Sequence, residues 1–257
     1  MIKIYILTYN RPQYLHENLK SLFESDANPD DYHVTIINNM ELVFELAPEF
    51  QERVTVYHNK LRPDWSNGHV ARDWNGALTQ GFGNLEKPIN EQVILVQDDC
   101  IWDTDWKVRL DRIHETYDLY AADWGDAFVS YLPEVVRKVG LYDERFTSVG
   151  CQEADYFLRA YLHHRDKSSI NDYRHRRAFN TTELVAHRNR TKHDELPVHF
   201  APYGVSEYWK DKWGSVMPTS WDKMGDGWDN NLKPNFDELN FYPWFSPNKK
   251  RESSDSP

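Results

Sequence analysis

Asp98 and Asp99 close the stretch VILVQDDC, directly behind four apolar residues and a glutamine. Two ionised carboxylates side by side repel each other, and near a core both lose hydration. A positive group is therefore expected against them. Other polar stretches share the same setting behind apolar runs. TYNR follows IKIYIL, NN follows HVTII, and HNK follows RVTVY. Two further acids, Glu153 and Asp155, stand in CQEADYFLRAYLHH, in the first turn of a helical pattern, where the helix dipole favours negative charge. The basic residues gather locally, from DYRHRRAFN through AHRNRTKHD at 172–194, as a solvated loop or as a phosphate-facing one.

The elements that must position these groups are legible from periodicity. IKIYIL reads as a buried strand. A helix follows from Pro12, whose fixed φ suits a first turn, with Tyr14, Leu15, Leu19, Leu22 and Phe23 at helical spacing. HVTIINN at 33–39 and RVTVYHN at 53–59 are the next strands, and MELVFELAPEFQE between them reads as helical or irregular. NGHVARDWNGALTQGF predicts a helix with Val70, Ala71, Trp74, Ala77 and Leu78 on one face. QVILVQDD is a strand and WKVRLDRIHETY a helix. AFVSYLPEVVRKVGLYDERF reads as strand, short helix and turn. Strands alternating with helices predict βαβ units and a mainly parallel sheet. In such sheets ligands bind beyond the carboxyl ends of the strands, so the four polar ends should share one edge.

Composition sets limits. The 257 residues allow one large α/β domain or a domain with a small appendage. The formal charge of −11, with 41 acids against 30 Lys and Arg, argues against a nucleic-acid partner. Two cysteines, Cys100 and Cys151, make no disulfide framework, so a reducing, cytoplasmic setting is the expectation. No apolar stretch approaches the ~20 residues of a membrane helix, so no transmembrane segment is expected. Ten Trp and fifteen Tyr, dense after Tyr203, point to a sugar-stacking surface or to aromatic filling under irregular loops. The expected domains are 1–200, with a nucleotide-binding half at about 1–100 and an acceptor half at about 101–200. A C-terminal extension at 201–245 should pack on it, and 246–257 should be a disordered tail.

Four stretches, in this order, resemble the A-fold (GT-A) glycosyltransferases, especially inverting family two: YILTYNRPQYLHENLKSL, NGHVARDWNGAL, VILVQDDC and GLYDERFTSVGCQEADYFLRA. The resemblance covers about residues 2–165 and extends weakly to YWKDKWG at 208–214. It implies a single GT-A, Rossmann-like α/β domain with an irregular aromatic-rich extension. The implied activity moves a sugar from a UDP- or GDP-sugar to a glycan or glycoconjugate acceptor, with inversion and with Mn2+ or Mg2+. By the same resemblance Thr8, Tyr9, Asn10 and Arg11 hold the nucleotide, although Thr8 or Asn10 would equally cap the following helix. Asn38 and Asn39 stand where the family has a base-binding Asp. Gln97 replaces the first acid of the metal motif, Asp98 faces ribose or sugar, and Asp99 is the metal ligand. Glu153 is the implied base and Asp155 its reserve, or a partner of Arg159. His187, or less well His193, completes the metal set. Arg72 supports the diphosphate or the second strand's loop, and Asp73 and Asn75 lie beside the site. Arg188, Arg190 or Lys192 would close over the diphosphate, and Trp124 would stack on a sugar or fill core. The alternatives are an inactive nucleotide-sugar or glycan-binding module, in which Gln97 and Glu153 mark decay, and a nucleotidyltransferase. The latter loses ground because TYNRPQYL has no Gly-rich loop.

Overall fold

A computed structural model describes residues 1–9, 11–39, 45–59, 70–122, 127–146, 151–163, 184–187 and 202–214. The first half alternates as the periodicity requires: β1 (Ile2–Thr8), α1 (Pro12–Phe23), β2 (Tyr32–Asn38), α2 (Pro48–Gln51), β3 (Val54–His58), α3 (Val70–Phe82) and β4 (Gln92–Gln97). Then follow β5 (Cys100–Trp102), α4 (Trp106–His114), β6 (Leu119–Ala122), β7 (Phe128–Tyr131), α5 (Pro133–Val139), α6 (Cys151–His163), β8 (Val185–His187) and α7 (Pro202–Trp213). The main sheet has the order β3-β2-β1-β4-β7-β6, and β5 pairs with β8 in a two-stranded ribbon. The first four strands in the sheet are mutually parallel, whereas β7 runs antiparallel to both β4 and β6.

Alternation along the strands divides the core into two layers. Ile2, Ile4 and Ile6 of β1, Val34 and Ile36 of β2, and Ile94 and Val96 of β4 face Leu15, Leu19 and Leu22 of α1 and Trp106 and Leu110 of α4. Tyr5, Ile37, Val93 and Leu95 point the other way, onto Trp74, Ala77, Leu78 and Phe82 of α3, the α5 valines and Tyr156, Phe157 and Ala160 of α6. Covered on both faces, β4 is buried from Gln92 to Val96, which is why its sequence is an unbroken apolar run. Each such side chain removed from water contributes roughly 1.5–3 kcal/mol. At Gly81, α3 lies so close to the sheet that a Cβ would meet Val93 Cγ2 at 2.5 Å.

Three elements differ from the sequence reading. β6 was not separable from the turn around it, because four residues paired only to β7 carry too short a pattern. β5 is equally short, and its CIW reads as the tail of the preceding strand. The C-terminal extension, expected to be irregular, contains the twelve-residue helix α7. Its Trp209 and Trp213, four residues apart, are fully buried with Phe146 and with Ala154 and Leu158 of α6. The residues after 214, including the expected disordered tail, lie outside the described residues. Among the described residues no helix is long and apolar enough to cross a membrane.

Candidate active site

The parallel register puts the polar strand ends side by side. Thr8 pairs with Asn38, Asn38 with His58, and Leu7 with Gln97. The strand-edge expectation therefore holds for the described residues of all four ends, Thr8, Asn38, His58 and Gln97. Backbone bonds extend the alignment one step past the strands. Asn39 N–H donates to Thr8 O at 3.0 Å, Asn59 N–H to Asn38 O at 2.9 Å, and Asp98 N–H to Leu7 O at 3.2 Å.

Asp98 and Asp99 form the turn between β4 and β5. That turn is held from below by a residue the motif reading passed over, Asn18 of α1. Fully buried, Asn18 donates from Nδ2 to Gln97 O at 3.0 Å and accepts from Trp102 Nε1 at 2.9 Å. Ser21 Oγ accepts from the Trp102 N–H at 3.0 Å. One face of α1 thus clamps both strands that flank the acids. A buried Asn at an otherwise apolar helix position was the available signal.

Thr8 Oγ1 donates to Asp98 Oδ2 at 2.7 Å, so the hydroxyl serves the acid rather than a helix cap; α1 begins behind Arg11 with no side-chain cap. Arg11 donates from its guanidinium to Asp99 Oδ2 at 2.9 Å and lies 3.8 Å from Asp98 Oδ1. The positive group expected against the two acids is, in the protein alone, Arg11. Burial pushes the Asp98 carboxyl up to about 7. The Arg11 charge opposes that rise, Asp99 adds to it, and hydrogen bonds from Thr8 and the Tyr9 backbone oppose it again.

A second group lies one strand further along the edge. Asn38, fully buried, shares a hydrogen bond of 2.9 Å with His58 Nδ1. Asn39 donates to Asp73 Oδ2 at 2.6 Å, and Asn59 donates to both Asn39 Oδ1 at 3.2 Å and Asp73 Oδ1 at 3.3 Å. Asp73 of α3 thus places an acid against the end of the second strand. His58 and Asn59 were expected at this edge as part of HNK, but without a role, because only tertiary pairing gives them their partners. Arg72 is exposed beside Asp73, and Asn75 turns elsewhere, to the Tyr142 backbone and Glu144.

The two implied catalytic acids separate. Glu153, 7% exposed, sits in the first turn of α6. Asp155 is fully buried and committed to Arg159 at 2.9 Å, Lys212 at 2.6 Å and the Trp213 indole N–H at 3.1 Å. Arg159 also donates to the carbonyls of Val139 and Leu141, and Lys212 to Asp143. The Arg159-binding alternative describes Asp155, which is held by three structural donors.

β8 runs antiparallel to β5 and places His187 opposite Cys100, one residue past Asp99. Among the described residues no three His, Cys, Asp or Glu side chains gather to hold an ion. The two buried carboxylates are nevertheless the hard oxygen donors that Mg2+ or Mn2+ takes alongside diphosphate oxygens and water, so the donor chemistry fits. Asn10, Trp124, Arg188, Arg190, Lys192 and His193 lie outside the described residues.

No family model and no curated protein sequence matches the chain. Solved structures similar to it include S. aureus TarS 1-349, at 13% identity over 63% of this chain and 55% of that one, TM-score 0.46. The mannosyltransferase PcManGT from Pyrobaculum calidifontis, in complex with GDP-Man and Mn2+, is similar at 15% identity over 69% of this chain and 60% of that one, TM-score 0.45. S. aureus TarS 1-349 in complex with UDP-GlcNAc is similar at 12% identity over 63% and 53%, TM-score 0.43. The chain thus spans little more than half the length of the TarS fragment it matches. By its own sheet order and strand directions it is a mixed, mainly parallel α/β fold with an acidic turn at the edge of β4, in keeping with the expectation drawn from its motifs.

Proposed function

We propose that the chain is a glycosyltransferase that moves a sugar from a nucleoside-diphosphate sugar to an acceptor hydroxyl with inversion. The observation that carries this reading is the convergence of Thr8, Asn38, Arg11, Asp98 and Asp99 at the carboxyl edge of a parallel sheet, where such folds bind ligands. Thr8, Tyr9, Asn10 and the Asn38–His58 pair would receive the base and ribose. Arg11 and Arg72 would meet the diphosphate, since a guanidinium fork matches phosphate oxygens. Gln97 and Asp98 line the same edge toward the ribose or sugar.

Asp99, with His187 and the diphosphate, would hold Mn2+ or Mg2+, which when bound offsets charge on the leaving diphosphate. Glu153 would accept the proton of the acceptor hydroxyl. As that oxygen bonds to the anomeric carbon, the bond from carbon to the diphosphate oxygen breaks, and the nucleoside diphosphate leaves with the electron pair. The UDP- or GDP-sugar donor and the glycan or glycoconjugate acceptor follow from the motif resemblance.

Gln97 in place of an acid favours a second reading, a binding module without turnover. Calorimetry with UDP and GDP, with and without Mn2+, followed by donor hydrolysis in Glu153→Gln, separates the two. The enzyme reading expects Mn2+-supported nucleotide binding and turnover that falls by about 10²-fold or more in the variant, with affinity retained. Binding without turnover in the parent selects the module, and full turnover in Glu153→Gln removes the assigned base.

A further inference from the structure

Arg11 stands where an incoming cation would have to go. Its guanidinium reaches Asp99 at 2.9 Å and Asp98 at 3.8 Å, and both carboxylate side chains are only 5% exposed. The Arg11 side chain keeps 21% of its surface in solvent and passes the Tyr14 ring, 5.8 Å from its centre. Its backbone is fixed, because Arg11 O accepts the N–H groups of Tyr14 and Leu15 at the head of α1. A pinned backbone with a long, part-exposed side chain suits a cation that changes partner without moving the fold.

We propose that Arg11 is an exchangeable counter-cation, resting on the metal-dependent reading above. In the protein alone it offsets part of the negative charge of the Asp98–Asp99 pair. When a divalent ion enters with a nucleoside diphosphate, Arg11 releases Asp99 and turns its fork to the diphosphate. The exchange keeps its charge-assisted hydrogen bonds, because carboxylate and phosphate present similar oxygen pairs to a guanidinium. An ion arriving alone must displace a resident positive charge. An ion arriving with the diphosphate finds that charge a new partner. Metal and nucleotide therefore favour each other, and by linkage each raises the other's affinity by the same factor.

The test is Mn2+ titration followed by the electron spin resonance of the free ion, at a pH near 8 and without nucleotide. Arg11→Met should bind Mn2+ about tenfold or more tightly than the parent, since a like charge has left the site. With saturating Mn2+, the same variant should bind UDP and GDP about tenfold or more weakly, measured by calorimetry. Arg11→Lys, which keeps the charge but loses the fork, should fall between the two in Mn2+ affinity. Should Arg11→Met not fold, Arg11→Lys decides by the same direction of change. Equal or weaker Mn2+ binding in the variants, beside a parent that takes Mn2+ with nucleotide, overturns this inference alone. A parent that takes no Mn2+ even with nucleotide overturns it together with the metal-dependent reading.

Discussion

Among the described residues two clusters of ionised groups are buried, and their surroundings differ. Under α7, Asp143 and Asp155 meet Lys212, Arg159 and Arg145, with the Tyr208 hydroxyl and the Trp213 indole filling further acceptor sites. At the strand edge, Asp98 and Asp99 share Arg11. Among the described residues the first cluster brings at least as many cations as acids together deep in the core, whereas the second meets the part-exposed Arg11 at a strand edge. Taking charge out of water is costly unless it is paired and hydrogen-bonded. A saturated cluster therefore reads as a structural joint, here tying α7 to α6 and the end of α5. Acids at the carboxyl edge of a parallel sheet, met by a part-exposed arginine, read instead as a ligand site. Burial of acids alone does not mark the site; the place at that edge does. Asp155 illustrates the point, since an acid two residues from Glu153 belongs to the joint.

The ionisation of the two clusters differs in the same sense. Burial alone would raise the Asp143 carboxyl, but the Lys212 ammonium and hydrogen bonds from Arg145, Lys212 and Tyr208 hold it below the usual carboxylate range. Asp98, with one distant cation, is pushed up to about 7.

The comparison breaks most sharply at Lys212. Lys212→Met should leave Asp143 and Asp155 undercompensated and destabilise the protein by about 3–5 kcal/mol, read from chemical denaturation. A loss below about 1 kcal/mol would mean that the joint does not depend on its balance. Asp98→Asn should act the other way. The folded-state pKa of Asp98 lies above its unfolded value, so the stability it contributes is full below about pH 4 and is lost as pH rises through 7. In metal-free protein the Asn variant should therefore be more stable than the parent at alkaline pH, by roughly 2–4 kcal/mol, with the gap closing in acid. Asp143 has the opposite sign: its contribution is present above about pH 4 and is lost as pH falls through its depressed value. Parallel pH–stability curves for the parent and Asp98→Asn would show that burial does not raise the Asp98 carboxyl. The smallest effect is expected at Asn18→Ala, which leaves the buried Trp102 indole N–H unpaired. About 1–3 kcal/mol should be lost, and nucleotide affinity measured by calorimetry should weaken as the acidic turn loosens.

Much of the fold was legible because its physics is local. A strand buried on both faces has to be apolar, so β4 announces itself; β1 and β2 do so by their isoleucine-rich runs, and Pro12 with Leu15, Leu19 and Leu22 announces α1. α7 was hidden, since its PYGVSEYWKDKW carries a glycine and several charges. The signal lay in Trp209 and Trp213 at one-turn spacing. In the site, the strand ends were readable as a set because parallel pairing brings like ends together. The partners were not readable. Asn39 was available to any acid until the fold put Asp73 of α3 2.6 Å away.

The sequence alone determined the alternation of strands and helices, the mainly parallel sheet and the polar edge with Asp98 and Asp99 at its centre. Those features follow from periodicity and from the exclusion of water on both faces of a strand. Only the tertiary structure decided which cation meets which acid. Arg11 and Asp99 are separated by 88 residues, and Asp143 and Lys212 by 69. The Coulomb energy of such a pair depends on distance through space and on the solvent left between the groups, and sequence position records neither.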